Sequence, residues 1–205
     1  MTDRELKLFL NSPSYEVAPK LIGRMITHRS KLGKVSGLIT EVEAYQQDDP
    51  ASHSYGGETQ RNKAMFGPSG HAYIYLSYGM HWCLNVVTGD EGYGSGVLVR
   101  GVYITEGQDI ASRLRFNVDS FNDLKPSQAK AISNGPGKVT QALGVTKDLY
   151  GISLLKEDSP LRLEQGVDVP DSYIISTPRI GISKAIDKPW RWLINSEYFK
   201  DNSIA

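Results

Sequence analysis

Residues 72–87, AYIYLSYGMHWCLNVV, limit the fold of this chain more than any other stretch. Two runs of β-favouring residues flank Tyr78-Gly79, and this pattern reads as a β-hairpin. Alternation puts Tyr73, Tyr75 and Ser77 on one face before the turn, and Cys83 and Asn85 on one face after it. Gly79 supplies the backbone freedom a tight turn needs. Tyr78 is then exposed at the tip. A loose ring there is poor for stability and suggests insertion into something. The other rings suit a core as readily as a pocket.

Residues 35–45 read as a second strand. Alternation assigns Ile39, Glu41, Glu43 and Tyr45 to one face, and Leu38, Thr40, Val42 and Ala44 to the other. Two carboxylates on one face indicate either a solvated edge or a site. Residues 97–104 form a nearly continuous apolar strand interrupted by Arg100. If buried, that guanidinium needs an oxygen partner, and Glu43 is the natural candidate. Otherwise Arg100 reaches water at a strand edge. Between the first strand and the hairpin, residues 46–70 form a long, polar, glycine-rich loop with Arg61, Asn62 and Lys63 inside it. Loops of this length usually either carry function or are disordered.

Elsewhere the chain predicts a short amphipathic helix or turn over 5–10 and a helix over 16–23 with Pro19 in its first turn. A strand is predicted over 24–29 and a turn over 31–34. Helices are predicted over 107–116 and 127–132, and residues 134–144 read as a glycine-rich loop feeding a short helix. Strand signals return over 149–163 and 172–177. Strands outnumber helices without regular alternation. The expected fold is therefore α+β: a single compact domain over 1–205 with a curved, mostly antiparallel sheet, surrounding helices and a protruding aromatic hairpin.

Composition narrows the partners. Lys+Arg and Asp+Glu both number 23, a net charge of zero, which argues against strong non-specific DNA binding but leaves room for a local basic patch. The single cysteine, Cys83, rules out an intrachain disulfide framework and a cysteine-ligated metal cluster, and it reads as a small buried hydrophobe. The N-terminus has no apolar signal core and no run is long enough to span a membrane, so the default location is cytoplasmic.

Several motifs in one order resemble the alkyladenine (3-methylpurine) DNA glycosylase family, in its bacterial branch. They are Glu41-Val42-Glu43-Ala44-Tyr45, Ala51-Ser52-His53-Ser54, Arg61-Asn62 with Met65-Phe66, and Tyr75 through Tyr78-Gly79-Met80 to Asn85. Val97-Leu98-Val99-Arg100, Gly135-Pro136-Gly137-Lys138 and Arg179-Ile180-Gly181-Ile182 follow. The resemblance implies release of 3-methyladenine and related purines from damaged double-stranded DNA, with no metal or organic cofactor. It implies that Glu43 activates water, with Arg100 and the Ile182 carbonyl helping to hold that water. Tyr45, His53 and Tyr75 would line the base pocket and Asn85 its floor. Tyr78 would enter the duplex beside Met80, and Arg61 and Lys138 would meet the DNA backbone. A monomer is expected, because one hairpin can read one duplex. Neutral net charge implies weaker or more salt-sensitive DNA binding than in basic family members.

Two other classes compete on residues alone. A carbohydrate glycosidase would use Glu41 and Glu43 as its pair, but neighbours two apart on one strand point the same way, whereas such enzymes flank their bond with carboxyls. A non-catalytic nucleic-acid binder would use the aromatics as a stacking platform and release no base.

Overall fold

The strand holding Glu43 lies between two others in the sheet, and this placement organises the site. The computed structural model describes residues 3–201. Among these residues eight strands form one sheet: β1 (Met25–Ser30), β2 (Gly33–Tyr45), β3 (Ala72–Ser77), β4 (His81–Val87), β5 (Gly96–Glu106), β6 (Leu161–Glu164), β7 (Ile174–Thr177) and β8 (Arg191–Ile194). They run in the order β3-β4-β5-β2-β1-β6, while β8 pairs with β2 and β7. Every pairing of these strands is antiparallel. The first half of β2 is flanked by β1 and β5, and its last residues by β8 and β5.

Among the described residues six α-helices surround the sheet: α1 (Asp3–Leu10), α2 (Ser14–Leu21), α3 (Gln108–Phe116), α4 (Pro126–Lys130), α5 (Pro136–Leu143) and α6 (Ser196–Asp201). Val17, Ala18 and Leu21 of α2 and Val139, Ala142 and Leu143 of α5 join Ile74, Leu84, Val86, Val97 and Val99 in the main core. A second cluster of Met65, Phe66, Tyr73 and Val87 forms apart from it. The hairpin therefore alternates as expected, with Ile74 and Leu84 in the main core and Tyr73 outside it. The α+β expectation holds.

Several boundaries move. The helix expected over 16–23 is α2, two residues earlier, because Pro13 already accepts from the Glu16 and Val17 amides and opens the helix there. Pro19 consequently lies in the second turn rather than the first, where its missing N–H costs a two-turn helix only one bond. The strand signals over 149–163 shrink to β6, since a 3-10 turn and Gly151 in the left-handed region precede it and Pro160 has no N–H to pair. The 46–70 loop folds against the body: Asn62 is buried and donates to the His53 and Gly57 carbonyls, and a 3-10 helix, Lys63–Phe66, delivers Met65 and Phe66 to the second cluster.

One expectation about β2 fails. Ile39 does not share a face with Glu41 and Glu43; it packs in the main core with Val42 and Ala44. The pairing with β5 explains this. Ile39 faces Val102, Glu41 faces Gly101 and Val42 faces Val99, so Thr40 on one strand and Arg100 on the other are stepped over. Paired bulges of this kind re-aim side chains. The close approach needs Gly101, since a Cβ there would lie 2.8 Å from the Thr40 hydroxyl.

Candidate active site

A row of side chains crosses five strands outside the main core. Register places Tyr73 opposite Asn85, Asn85 opposite Leu98, Leu98 opposite Glu43 and Glu43 opposite Arg191. At about 4.8 Å per strand, Asn85 and Glu43 stand roughly 10 Å apart. Over this row opens a cavity of about 430 Å³, within the usual range for a small-molecule site.

Glu43 lines that cavity although its residue is 0% exposed. One carboxylate oxygen accepts from the Ile180 amide at 2.7 Å. The other accepts from the Tyr45 hydroxyl at 2.9 Å and from Arg100 at 3.3 Å. Burial and the adjacent Glu43 carboxylate push the Tyr45 hydroxyl well above the ordinary phenol range, so it remains a donor. Arg100 also donates to Glu41 at 2.9 Å, and Arg191 donates to the same Glu41 oxygen at 2.7 Å. The charges thus alternate along Arg191, Glu41, Arg100 and Glu43. Burial works against the charge on Arg100, but Glu43 and Glu41 more than offset it and raise its pKa. Arg100 is therefore a largely buried, paired guanidinium rather than an edge residue extended into water.

The opposite wall is aromatic and neutral. Tyr73 and Tyr75 stack with ring centroids 5.4 Å apart, and the His53 imidazole meets Tyr75 edge-on at 4.5 Å. The Tyr73 hydroxyl and His53 Nδ1 are 3.0 Å apart. Burial, helped by nearby Arg61, lowers the His53 pKa and favours the neutral ring. Burial also pushes the Tyr73 and Tyr75 hydroxyls and the Cys83 thiol upward. Asn85 is fixed by donating to the Tyr73 carbonyl at 3.2 Å. The Arg61 guanidinium lies 5.7 Å from the Tyr75 ring centre and donates to the Leu76 carbonyl.

At the hairpin tip Tyr78 is 86% exposed and Met80 71%. The Met80 amide donates to Ser77, and both Tyr78 and Gly79 have positive φ (49° and 69°), the turn geometry favoured between two paired strands. A tyrosine is uncommon in that region, where strain costs about 1–3 kcal/mol.

A buried clamp closes the site behind Tyr45. Arg179 and Asp49 form an ion pair whose side chains are both inaccessible. Arg179 also donates to the Ala44 and Ala185 carbonyls, and its guanidinium lies 4.7 Å from the Tyr45 ring centre and 5.3 Å from that of Trp190. It thus fixes the segment whose next residue, Ile180, bonds Glu43.

The cavity gathers Glu43, Arg100, Tyr45, His53, Tyr75, Asn85, Ile182, Tyr78 and Arg61 from the expected set. It does not include Met80, which is beside Tyr78 at the tip, or Lys138 in the first turn of α5, whose ammonium donates to the side chain of Asn134 ahead of the helix. Sequence reasoning missed the Ile180 amide, the bridging role of Glu41 and Arg191, and the Asp49–Arg179 pair. Only the arginine preceding Ile180-Gly181-Ile182 gave a signal, since a charged residue among apolar ones needs a partner. Among the described residues, no group of three or more His, Cys, Asp or Glu side chains comes together as a metal site, and no helix is long and apolar enough to cross a membrane.

Comparison with known proteins gives a consistent result. The family model described as methylpurine-DNA glycosylase matches residues 8–198. A Methanoculleus marisnigri protein provisionally named a 3-methyladenine DNA glycosylase is 42% identical over 194 residues, covering 93% of this chain and 95% of its own. Proteins of the same provisional name from Rhodopseudomonas palustris strain BisB5 and Nitrosospira multiformis are 46% and 44% identical, covering 87% and 89% of this chain and 80% and 86% of theirs.

Proposed function

The chain belongs to the methylpurine-DNA glycosylase family, and on that premise we propose that it releases 3-methyladenine and related alkylated purines from double-stranded DNA by hydrolysis, leaving an abasic site. The observation that carries this reading is Glu43: a fully buried carboxylate on a cavity wall, held by the Ile180 amide, Tyr45 and Arg100.

The reacting bond lies inside a stacked duplex, so the nucleotide must first be flipped out at a cost of a few kcal/mol. Tyr78 enters the vacated space from the hairpin tip, with Met80 beside it. Inserted apolar side chains act in this way in other DNA-bending proteins. Arg61 and Lys138 contact phosphates on that side. Tyr45, His53 and Tyr75 receive the base, and Asn85 limits what fits against the floor. An electron-rich slot favours an alkylated purine cation over a neutral base by about 0.5–2 kcal/mol.

Breaking the glycosidic bond sends its electron pair to the base, which neutralises the purine cation and places positive charge on the sugar. Glu43 stabilises that charge and takes a proton from the water whose oxygen bonds to the anomeric carbon. Arg100 and the Ile182 carbonyl orient this water. Among the described residues no lysine lines the cavity, which supports attack by water and a monofunctional enzyme. The deciding experiment measures free 3-methyladenine released from methylated duplex DNA by the wild type and by Glu43→Gln. Release by the wild type alone, with lesion binding retained in the variant, is the expected result. Lesion binding with no release by either protein would identify a damage-binding protein instead. A borohydride-trapped protein–DNA adduct would contradict direct attack by water.

A further inference from the structure

The residues assigned above to DNA all lie on one side of the cavity. Tyr78 and Met80 are in the β3–β4 turn, and Arg61 stacks over Tyr75 of β3. Lys138 lies on α5, which packs against β4 closely enough that a Cβ on Gly137 would lie 2.8 Å from the His81 side chain. The other side of the mouth is the segment joining β7 to β8. It approaches the cavity from the opposite edge of the sheet, past the Thr177–Arg191 pair, and contributes Ile180, Gly181 and Ile182 to the lining.

This segment has the surface of an interface. Ile180 is 50% exposed and Ile186 61%, and exposed Lys184 lies between them. Asp187 is the only carboxylate between residues 178 and 190, where Lys184 and Lys188 supply two cations besides Arg179, which is paired with buried Asp49. Lys188 is half-buried over Trp190, 4.0 Å from the ring centre, which leaves Lys184 as the cation at the apex. The segment is braced: Arg179 bonds Ala185 across it, and the Ile180 amide is tied to Glu43. Two exposed branched apolar side chains on a held loop cost solvation and gain nothing from the core.

We infer that the β7–β8 loop is a second DNA-docking element, with Lys184 on a backbone phosphate and Ile186 against the sugar face, gripping the duplex across the cavity from the hairpin. This rests on the glycosylase reading above. The two proposed contacts differ in kind: the hairpin wedge fills the gap left by the flipped base, while the loop holds the backbone on the far side of it. The bond from the Ile180 amide to Glu43 gives the loop a direct mechanical link to the carboxylate. Charge supports the assignment. A chain of zero net charge cannot hold DNA by its overall field, so its cations must be concentrated where the phosphates lie.

The test uses Lys184→Ala, Ile186→Ser and the double variant, with Lys31→Ala as a charge-matched control in the β1–β2 turn at the far end of β2. Affinity for a lesion-containing duplex is measured against salt, and base release is measured in single turnover at saturating protein. The double variant should bind the duplex about tenfold more weakly, and Lys184→Ala should lower the salt slope by about 0.9, the value for one lost phosphate contact. Lys31→Ala should change neither, and saturated base release should stay near wild type in all three loop variants. Unchanged duplex affinity and salt slope in the loop variants, while the wild type binds and releases base, would overturn the loop's role alone. Equal changes in Lys31→Ala would reduce it to a net-charge effect and overturn it as well. A wild type that neither binds nor cleaves the lesion duplex would overturn the glycosylase reading itself.

Discussion

The two walls of the cavity are built from opposite materials. On the β2 side, Glu43, Arg100, Glu41 and Arg191 form an alternating line of charges, each held by its neighbours. On the hairpin side, Tyr73, Tyr75 and His53 are stacked rings, and burial keeps their titratable atoms in the neutral form. Removing one member of a charge line exposes the uncompensated charge of the next, whereas removing one ring removes only its own contacts. The first wall suits a step in which charge develops, and the second suits recognition of a flat base.

Three substitutions would sharpen or break that division. The largest effect is expected on the charged wall. Arg100→Met takes away the one cation bonded to both carboxylates, and breaking such a buried pair should destabilise the fold by about 3–5 kcal/mol. The single-turnover rate should fall about 100-fold, since one oriented donor at a reacting centre is lost. Thermal denaturation and base release measured on the same sample would check both; a stable, active variant would mean the charge line is ornamental. A smaller effect is expected across the cavity. Tyr78→Ser should cost about 1–3 kcal/mol in duplex binding, as for a lost stacking ring, with little loss of rate once the protein is saturated. If the saturated rate falls as far as in Arg100→Met, binding and chemistry are not divided between the walls.

The smallest effect concerns pH. His53 has a pKa lowered by burial and by Arg61. The unfolded chain therefore takes up a proton near the ordinary histidine value of about 6.5, while the folded chain resists it until lower pH. The stability contributed by neutral His53 is complete above that value and erodes as pH falls below it. Melting temperature against pH should show a shallower acid-side decline in His53→Gln than in the wild type. An unchanged slope would show that His53 is not the group responsible.

The same division explains what could be read from the sequence. The aromatic wall was legible because a hairpin alternates simply: Tyr73, Tyr75, Cys83 and Asn85 share a face in the structure as their spacing implies. The Arg100–Glu43 contact was also legible, because a charge within an apolar strand demands a partner. Glu41 bridging two arginines was not, because Arg191 is 150 residues away in sequence and arrives only when β8 pairs with β2. The Asp49–Arg179 clamp was hidden for the same reason. Its aspartate lies in a polar loop where Asp48-Asp49-Pro50 looks like ordinary turn composition.

Thr40 and Arg100, the two residues stepped over in the pairing of β2 with β5, have a consequence best put as parity. In β2 the core positions are odd through Ile39 and even from Val42 onward, and in β5 they pass from odd at Val97 and Val99 to even at Val102 and Ile104. Ile39, Glu41 and Glu43 are all odd, so an uninterrupted strand would send the isoleucine and both carboxylates to the same side. One strand can serve the core with one half and the cavity with the other only because the count changes midway. Single-residue deletions beyond the bulge are therefore worse than most substitutions: losing Val42 would set Glu43 directly after Glu41 and turn it into the hydrophobic interior, whereas losing Thr40 would only restore plain alternation between Ile39 and Glu41.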